Sequence, residues 1–247
     1  MFRPKSLRIF IAPVLILALV ATIGCGGSGE EKTTLMKYFN ASKMRDNLTL
    51  ANIATVGFDP DKNGQVQTFS VVSSTPEQVT PLTLKQLQAD LKAAQDAETA
   101  FTKNKKEFQD ANGDVIDRVL KAEASNRPLR GKDAELQKEW TKWRDETRVF
   151  AAKVSETRKL LNAERPIVEI SIQDQRNPLN ITDYEGQIVS KDVTIDAKVK
   201  AADGTTSQKQ FVMTLQRATL NGVMGQDGKP GDFVGRWVIT NFVEVGK

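Results

Sequence analysis

Histidine does not occur in this chain of 247 residues, and cysteine occurs once, at Cys25. Histidine is the commonest general base and transition-metal ligand, and it activates the nucleophile of many hydrolases. Neither a Ser-x-x-Lys nor a Gly-x-Ser-x-Gly sequence is present in its place. We therefore predict a protein that is not an enzyme and needs no cofactor. The composition still permits catalysis by a pair of Asp or Glu side chains.

Residues 1–25 have the pattern of a bacterial secretory signal. Three basic residues lie within residues 1–8, an almost wholly apolar run covers residues 9–23, and Gly24 precedes Cys25. A basic start, a short apolar run and a small residue before the cleavage site are typical of such signals. The run is shorter than the roughly 20 residues that span a bilayer. An uncleaved N-terminal anchor helix is the alternative, and either interpretation predicts an exported, tethered chain.

The four residues Thr22-Ile23-Gly24-Cys25 resemble the lipobox of bacterial lipoproteins. That resemblance implies that residues 1–24 are a signal peptide and that Cys25 becomes the new N-terminus, carrying fatty acyl groups such as palmitate. Residues 25–33 begin with three glycines and a serine in close succession, which predicts a flexible tether. We expect a membrane-anchored protein of the cell envelope that faces the periplasm. Gly26, where an Asp would favour the inner membrane, favours the outer membrane.

The basic excess of the chain belongs mostly to the signal. The whole chain has 35 basic and 31 acidic residues, but three of the basic residues and none of the acidic ones precede Gly24. The 223 residues that remain therefore carry a net charge of about +1, too little for a nucleic-acid footprint. We predict no nucleic-acid partner, attachment to a membrane through the lipid, and envelope proteins as partners.

A polar turn follows the first predicted helix, which contains Leu35 and Phe39 and for which Thr33 or Thr34 is the expected cap. Residues 54–58 and 66–73 read as two strands around the turn at residues 59–64.

Asp59, Asp61 and Asn63 are the candidate metal ligands of the chain. Their alternate spacing, followed by a glycine, is similar to the start of an EF-hand calcium loop. The twelfth position is Ser70, where that loop carries a bidentate Glu, and the flanking segments read as strands. Asp, Pro, Asn and Gly are also the usual residues of turns. We therefore predict a plain turn and no metal site.

Residues 82–163 predict a long antiparallel helical hairpin. Apolar residues recur there at alternating steps of three and four, as along the seam of a coiled coil. The first seam contains Leu84, Leu87, Leu91, Ala94, Phe101, Phe108, Val115, Val119 and Ala122, and the same register places the polar Glu98, Lys105 and Asn112 on it. The second seam contains Leu136, Trp140, Trp143, Thr147, Phe150, Val154, Thr157 and Leu161. Gly113 is a candidate break in the first helix, and Asp133 is the expected cap of the second. Two helices of roughly 30 residues give a hairpin about 45 Å long.

The chain after the hairpin predicts β-structure. Pro166 should end the second helix, since proline disfavours helical geometry in the residue before it. Residues 167–172 then read as a strand, residues 193–201 alternate cleanly between apolar and polar, and Asp203-Gly204 is a hairpin turn. A partner strand carries Phe211, Met213 and Leu215, and residues 235–245 form the last strand.

These elements predict an α+β fold, a mainly antiparallel sheet with the hairpin inserted into it. Residues 34–81 and 164–247 should form the body, because an antiparallel hairpin starts and ends at one place. A leading helix, an antiparallel sheet and the final Gly-Arg-Trp-Val-Ile make the body similar to cystatin-like and nuclear-transport-factor-like modules, usually binding modules. The inserted hairpin also resembles that of the periplasmic adaptor proteins of efflux pumps.

We therefore expect a binding or scaffolding protein that works through its hairpin or its β-body. An adaptor-like component of a transport or efflux assembly is the first alternative. The others are a carboxylate-based cell-wall hydrolase and a small-ligand carrier. The carrier would need an apolar pocket, lined for instance by Phe211, Trp237 and Ile239, which are otherwise plain core residues.

Overall fold

The computed structural model of the chain describes residues 28–173, 178–225 and 228–246. The described helices are α1 (Ser28–Met44), α2 (Asn47–Ala51), α3 (Pro60–Asn63), α4 (Leu84–Ala124) and α5 (Lys132–Ile172), with a 3₁₀ turn at Ile181–Asp183. The described strands are β1 (Gln65–Ser74), β2 (Gln78–Pro81), β3 (Gly186–Lys200), β4 (Thr206–Met224), β5 (Pro230–Val234) and β6 (Val238–Glu244). The fold is α+β, as predicted.

One antiparallel, curled sheet forms the body, with β3 and β4 at its centre. These two strands pair from Gly186 with Leu220 to Lys200 with Thr206. The predicted turn joins them: Gly204 has a φ of 87°, and the Asp203 carboxylate accepts hydrogen bonds from the backbone N–H and hydroxyl of Thr205. β1 and β2 pair with the other side of β3, and β5 and β6 pair with the other side of β4.

The two faces of the sheet carry two different cores. Along β3 the predicted alternation holds, and Val189, Val193 and Ile195 face a cluster that includes Leu35 and Phe39 of α1. The neighbouring Ile188 faces the opposite side and belongs to a second cluster with the base of α4 and α5. Side chains of successive residues in a strand point to opposite faces, so one strand serves both cores.

The hairpin is present and longer than predicted. α4 and α5 each contain 41 residues, which corresponds to about 60 Å at 1.5 Å per residue. α4 leaves helical geometry at Asn112, next to the predicted break at Gly113. Asp133 does not cap α5, which begins one residue earlier after Gly131.

The prediction that Pro166 ends the helix and that residues 167–172 form a strand is wrong. α5 continues through Pro166 to Ile172. Val168 lies seven residues after Leu161, Ile172 lies one helical turn after Val168, and all three are buried against the second face of the sheet. Burial of this apolar stripe outweighs the one helical hydrogen bond that a proline cannot donate.

The predicted strand over residues 54–58 is also absent. Ala54 makes a single parallel bridge with Ile239, and the chain around it fills the first core with Ile53 and Phe58. The second predicted strand exists as β1, but it pairs with β3. At the other end, α1 already begins at Ser28, inside the segment predicted as a tether.

Candidate functional site

The base of the hairpin is fixed to the sheet by apolar and polar contacts. Leu84, Leu161, Val168 and Ile172 pack with Ile188, Ala218 and Leu220 of the sheet in the second core. The Ser171 hydroxyl donates to the Arg236 carbonyl (2.8 Å) and accepts from the backbone N–H of Ala218 (2.9 Å). Gly235 lies so close to Ser171 that a Cβ there would overlap it. These contacts fix the base of the hairpin to the sheet.

The middle of the hairpin is held by aromatic and polar contacts between the two helices. The rings of Phe101 and Phe150 stack with centroids 4.7 Å apart, and Trp143 lies 5.1 Å from Phe101. Lys105, a predicted seam residue, donates from Nζ to the Thr147 hydroxyl at 2.9 Å. The seam predicted from the spacing therefore holds the helices together here.

The distal part of the hairpin has a core of its own. Ile116, Val119 and Trp140 are buried together, and the residues packed against them also belong to the hairpin: Phe108, Leu129, Leu136 and Trp143. Val115, the predicted seam residue, is only half-buried, while its neighbour Ile116 is buried. Val119 and Ala122, the next two predicted seam residues, are buried, so the difference is confined to the first turn after Asn112, where α4 leaves helical geometry.

The tip connects the helices through residues 125–131 and is braced by two ion pairs. Arg118 donates to both carboxylate oxygens of Asp133 (3.0 and 3.1 Å), and this hydrogen bonding holds the pKa of Asp133 below its usual value. Arg144 likewise donates to both oxygens of Glu123 (2.8 and 2.9 Å), which lowers the pKa of that carboxyl. Bidentate arginine–carboxylate pairs fix orientation as well as charge.

Four further cations surround these pairs: Lys121, Arg127, Arg130 and Lys132. All four are exposed, and no carboxylate of the described residues forms a salt bridge with them. Lys121, Arg127 and Pro128 help to line a hollow of about 300 Å³, and Arg118 and Asp133 also line it. Leu120, 42% exposed, adds an apolar group.

A second charged cluster lies under the start of α1. Lys191 projects from β3 into the first core, is 7% exposed, and pairs closely with Glu31, which is 4% exposed. Lys191 Nζ is 4.3 Å from the ring centroid of Trp237, and the guanidinium of Arg217 is 4.4 Å from it. Glu77 pairs with both cations at 3.4 Å. These groups pin α1 to the sheet.

The candidate metal ligands serve local structure. The Asp59 carboxylate accepts from the backbone N–H of Asp61, which lowers the pKa of Asp59, and it caps the short α3. Asp61 pairs with Arg45 at 2.9 Å, and the Asn63 side chain donates to the Asp59 carbonyl. Across the described residues there is no group of three His, Cys, Asp or Glu placed to hold a metal ion.

The other residues singled out by sequence lie elsewhere. Cys25 is outside the described residues. Phe211, Trp237 and Ile239 are buried in the first core, and they line neither the hollow at the tip nor a larger one of about 420 Å³ beside α5. Within the described part of the chain, no helix is both long enough and apolar enough to cross a membrane.

Comparisons with known proteins leave the chain without an assigned family. No family model matches it, and no curated protein or solved structure does so either. The resemblances to cystatin-like modules and to periplasmic adaptors stay predictions.

Proposed function

We propose that this protein is a lipid-anchored component of the bacterial cell envelope that makes non-enzymatic contacts through its helical hairpin. The observation that carries the proposal is the separate core of the distal hairpin, whose buried residues all belong to α4, α5 and the tip. A hairpin needed only to complete the fold would end where the second core of the body ends. Some 45 further residues instead extend a braced surface beyond it, from about Phe101 to Thr147.

The anchor half of the proposal rests on the lipobox-like residues and on the docking of α1. Ser28 is the third residue after Cys25, at most about 11 Å of extended chain away. Glu31 then fixes α1 to the sheet through Lys191. An acyl group at Cys25 would therefore hold the body close to the membrane, and the stiff element reaching away from the body is the hairpin.

An adaptor-like role in a transport assembly is the second candidate. It is favoured by one specific feature, a long α-hairpin whose two ends both return to β-structure, in β2 before α4 and in β3 after α5. In this role the hairpin tip would contact another component of the assembly.

Photo-crosslinking in living cells tests the proposal. A photoreactive residue is placed at Arg127 or Arg130 on the tip, and at Lys198 on the exposed face of the sheet as a control. We expect the full chain in the membrane fraction and a discrete adduct, identified by mass spectrometry, that is specific to the tip. The Cys25→Ser chain should lose acylation. Equal labelling at Lys198, or no adduct from the tip, would contradict the contact role.

A further inference from the structure

We infer that the hairpin tip docks on an anionic phospholipid surface, with Lys121, Arg127, Arg130 and Lys132 as its contacts. The inference deepens the proposed function, on which it rests, by naming what the tip meets. The tip could reach the membrane that holds the anchor or a facing one, and the chemistry is the same for both.

The charge of the tip differs from that of the rest of the hairpin. Residues 118–133 contain five basic and two acidic residues, and both acidic residues are engaged by arginines, Asp133 by Arg118 and Glu123 by Arg144. The rest of the hairpin, residues 84–117 and 134–172, contains 13 basic and 14 acidic residues, some of them paired one turn apart as in Lys92–Asp96 and Lys142–Glu146. The net positive charge of the hairpin is therefore concentrated at its tip.

Apolar groups stand among the cations of the tip. Leu120 and Pro128 are exposed, and Leu129 is half-buried between them and the distal core. Segments that combine Lys and Arg with a few exposed apolar side chains are suited to the headgroup region, because each cation near an anionic leaflet is attracted to it and the apolar groups leave water. The hollow beside Lys121 and Arg127 offers a place for a phosphate-bearing headgroup.

The size of the tip favours a membrane over a protein. The end of a two-helix hairpin measures roughly 20 by 10 Å from the diameter of a helix, or about 200 Å². A stable protein interface buries about 800 Å² on each partner. A continuous anionic surface needs no shape complementarity, so a small convex cationic end is sufficient for it.

A fluorescence experiment on the full chain tests this inference. An environment-sensitive fluorophore is placed at Ala124, an exposed residue that ends α4, and in a second sample at Lys198 on the body. The protein is reconstituted in vesicles of phosphatidylcholine alone or of phosphatidylcholine mixed with phosphatidylglycerol. We expect a blue shift and quenching by lipid-borne quenchers at Ala124 only in the anionic vesicles, reversed by high salt, and no change at Lys198.

Two variants that each lose four positive charges distinguish an effect of the tip from an effect of net charge. The tip variant carries Lys121→Gln, Arg127→Gln, Arg130→Gln and Lys132→Gln, and the shaft variant carries Lys103→Gln, Lys138→Gln, Arg158→Gln and Lys159→Gln. All eight side chains are exposed, so both variants should fold, which circular dichroism checks. Loss of the shift in the tip variant alone supports the inference.

Three outcomes overturn the inference. They are equal loss in both variants, a shift that is equal in neutral vesicles, and no shift in the unmodified chain. In each of these cases a tip-specific protein adduct in the photo-crosslinking experiment would leave the proposed contact role standing. If the fluorophore shift is absent and the tip also yields no adduct, both proposals fail.

Discussion

Lys191 is a charged residue at a position of β3 where the alternation predicts a buried apolar side chain. It stands between Val189 and Val193 on the inward face of β3, and the side chain that meets it is Glu31, near the start of α1. Removing two charges from water is costly, and each charge of this pair offsets part of that cost for the other. The contact holds the first turns of α1 against the sheet.

We expect Lys191→Met to lower the free energy of unfolding by about 3–5 kcal/mol, because it leaves Glu31 buried without a partner and removes the cation from the Trp237 ring. The double variant Glu31→Leu/Lys191→Met should recover most of that loss. Urea unfolding measures both, and Lys198→Met, on the exposed face of β3, is the control expected to stay within about 0.5 kcal/mol. A double variant as unstable as the single one would contradict this account of the pair.

The sequence contains one sign of this charged cluster, but local spacing does not show which residues form it. Lys191 and Arg217 both occupy inward positions of otherwise apolar alternation, which indicates a buried partner for each cation. Which carboxylate that partner is depends on α1 lying across the sheet, about 160 residues away along the chain from β3. Spacing along one strand cannot supply that information, so this pairing was not predictable from the sequence.

At the scale of elements, the hairpin was predictable because its signal is long and periodic. The Pro166 boundary was not, since a short apolar run such as residues 167–172 fits a strand and a buried helix equally well. Contact with Ala218 and Leu220 of the sheet stabilises residues 167–172 as a helix. The pairing of β1 with β3 across the inserted hairpin likewise depends on residues that are far apart in the chain. The turn at residues 59–64 favoured a local strand pair instead.

The burial of Ile116 in place of Val115, just after Asn112, gives a prediction for α4. Ile116→Ala should destabilise the distal hairpin by about 2–5 kcal/mol, because it opens a cavity beside Val119 and Trp140. Val115→Ala, one residue earlier on the predicted seam, should cost less than about 1 kcal/mol since that side chain is only half-buried. Hydrogen exchange of the hairpin amides measures the difference. A larger effect of Val115→Ala would contradict the burial of Ile116 in its place.

At the scale of the whole molecule, two cores lie on opposite faces of one sheet, and each holds a different part of the chain. The first core holds α1, and with it the end of the chain that leads to Cys25, while the second core holds the root of the hairpin. β3 and β4 contribute to both, so the proposed anchor and the hairpin are attached to the same two strands. This arrangement suits a protein that transmits position from a membrane to a distant contact.

The proposed contact role needs a hairpin that is stiff along its length, and a distance along α4 tests this stiffness directly. Spin labels at Ala89→Cys and Ala124→Cys, in the Cys25→Ser background, stand at two exposed positions 35 residues apart. Pulsed electron paramagnetic resonance should give one narrow distribution near about 52 Å, shortened slightly by the irregularity at Asn112. A broad distribution, or one near the roughly 16 Å expected if α4 folded back at Asn112, would contradict the account.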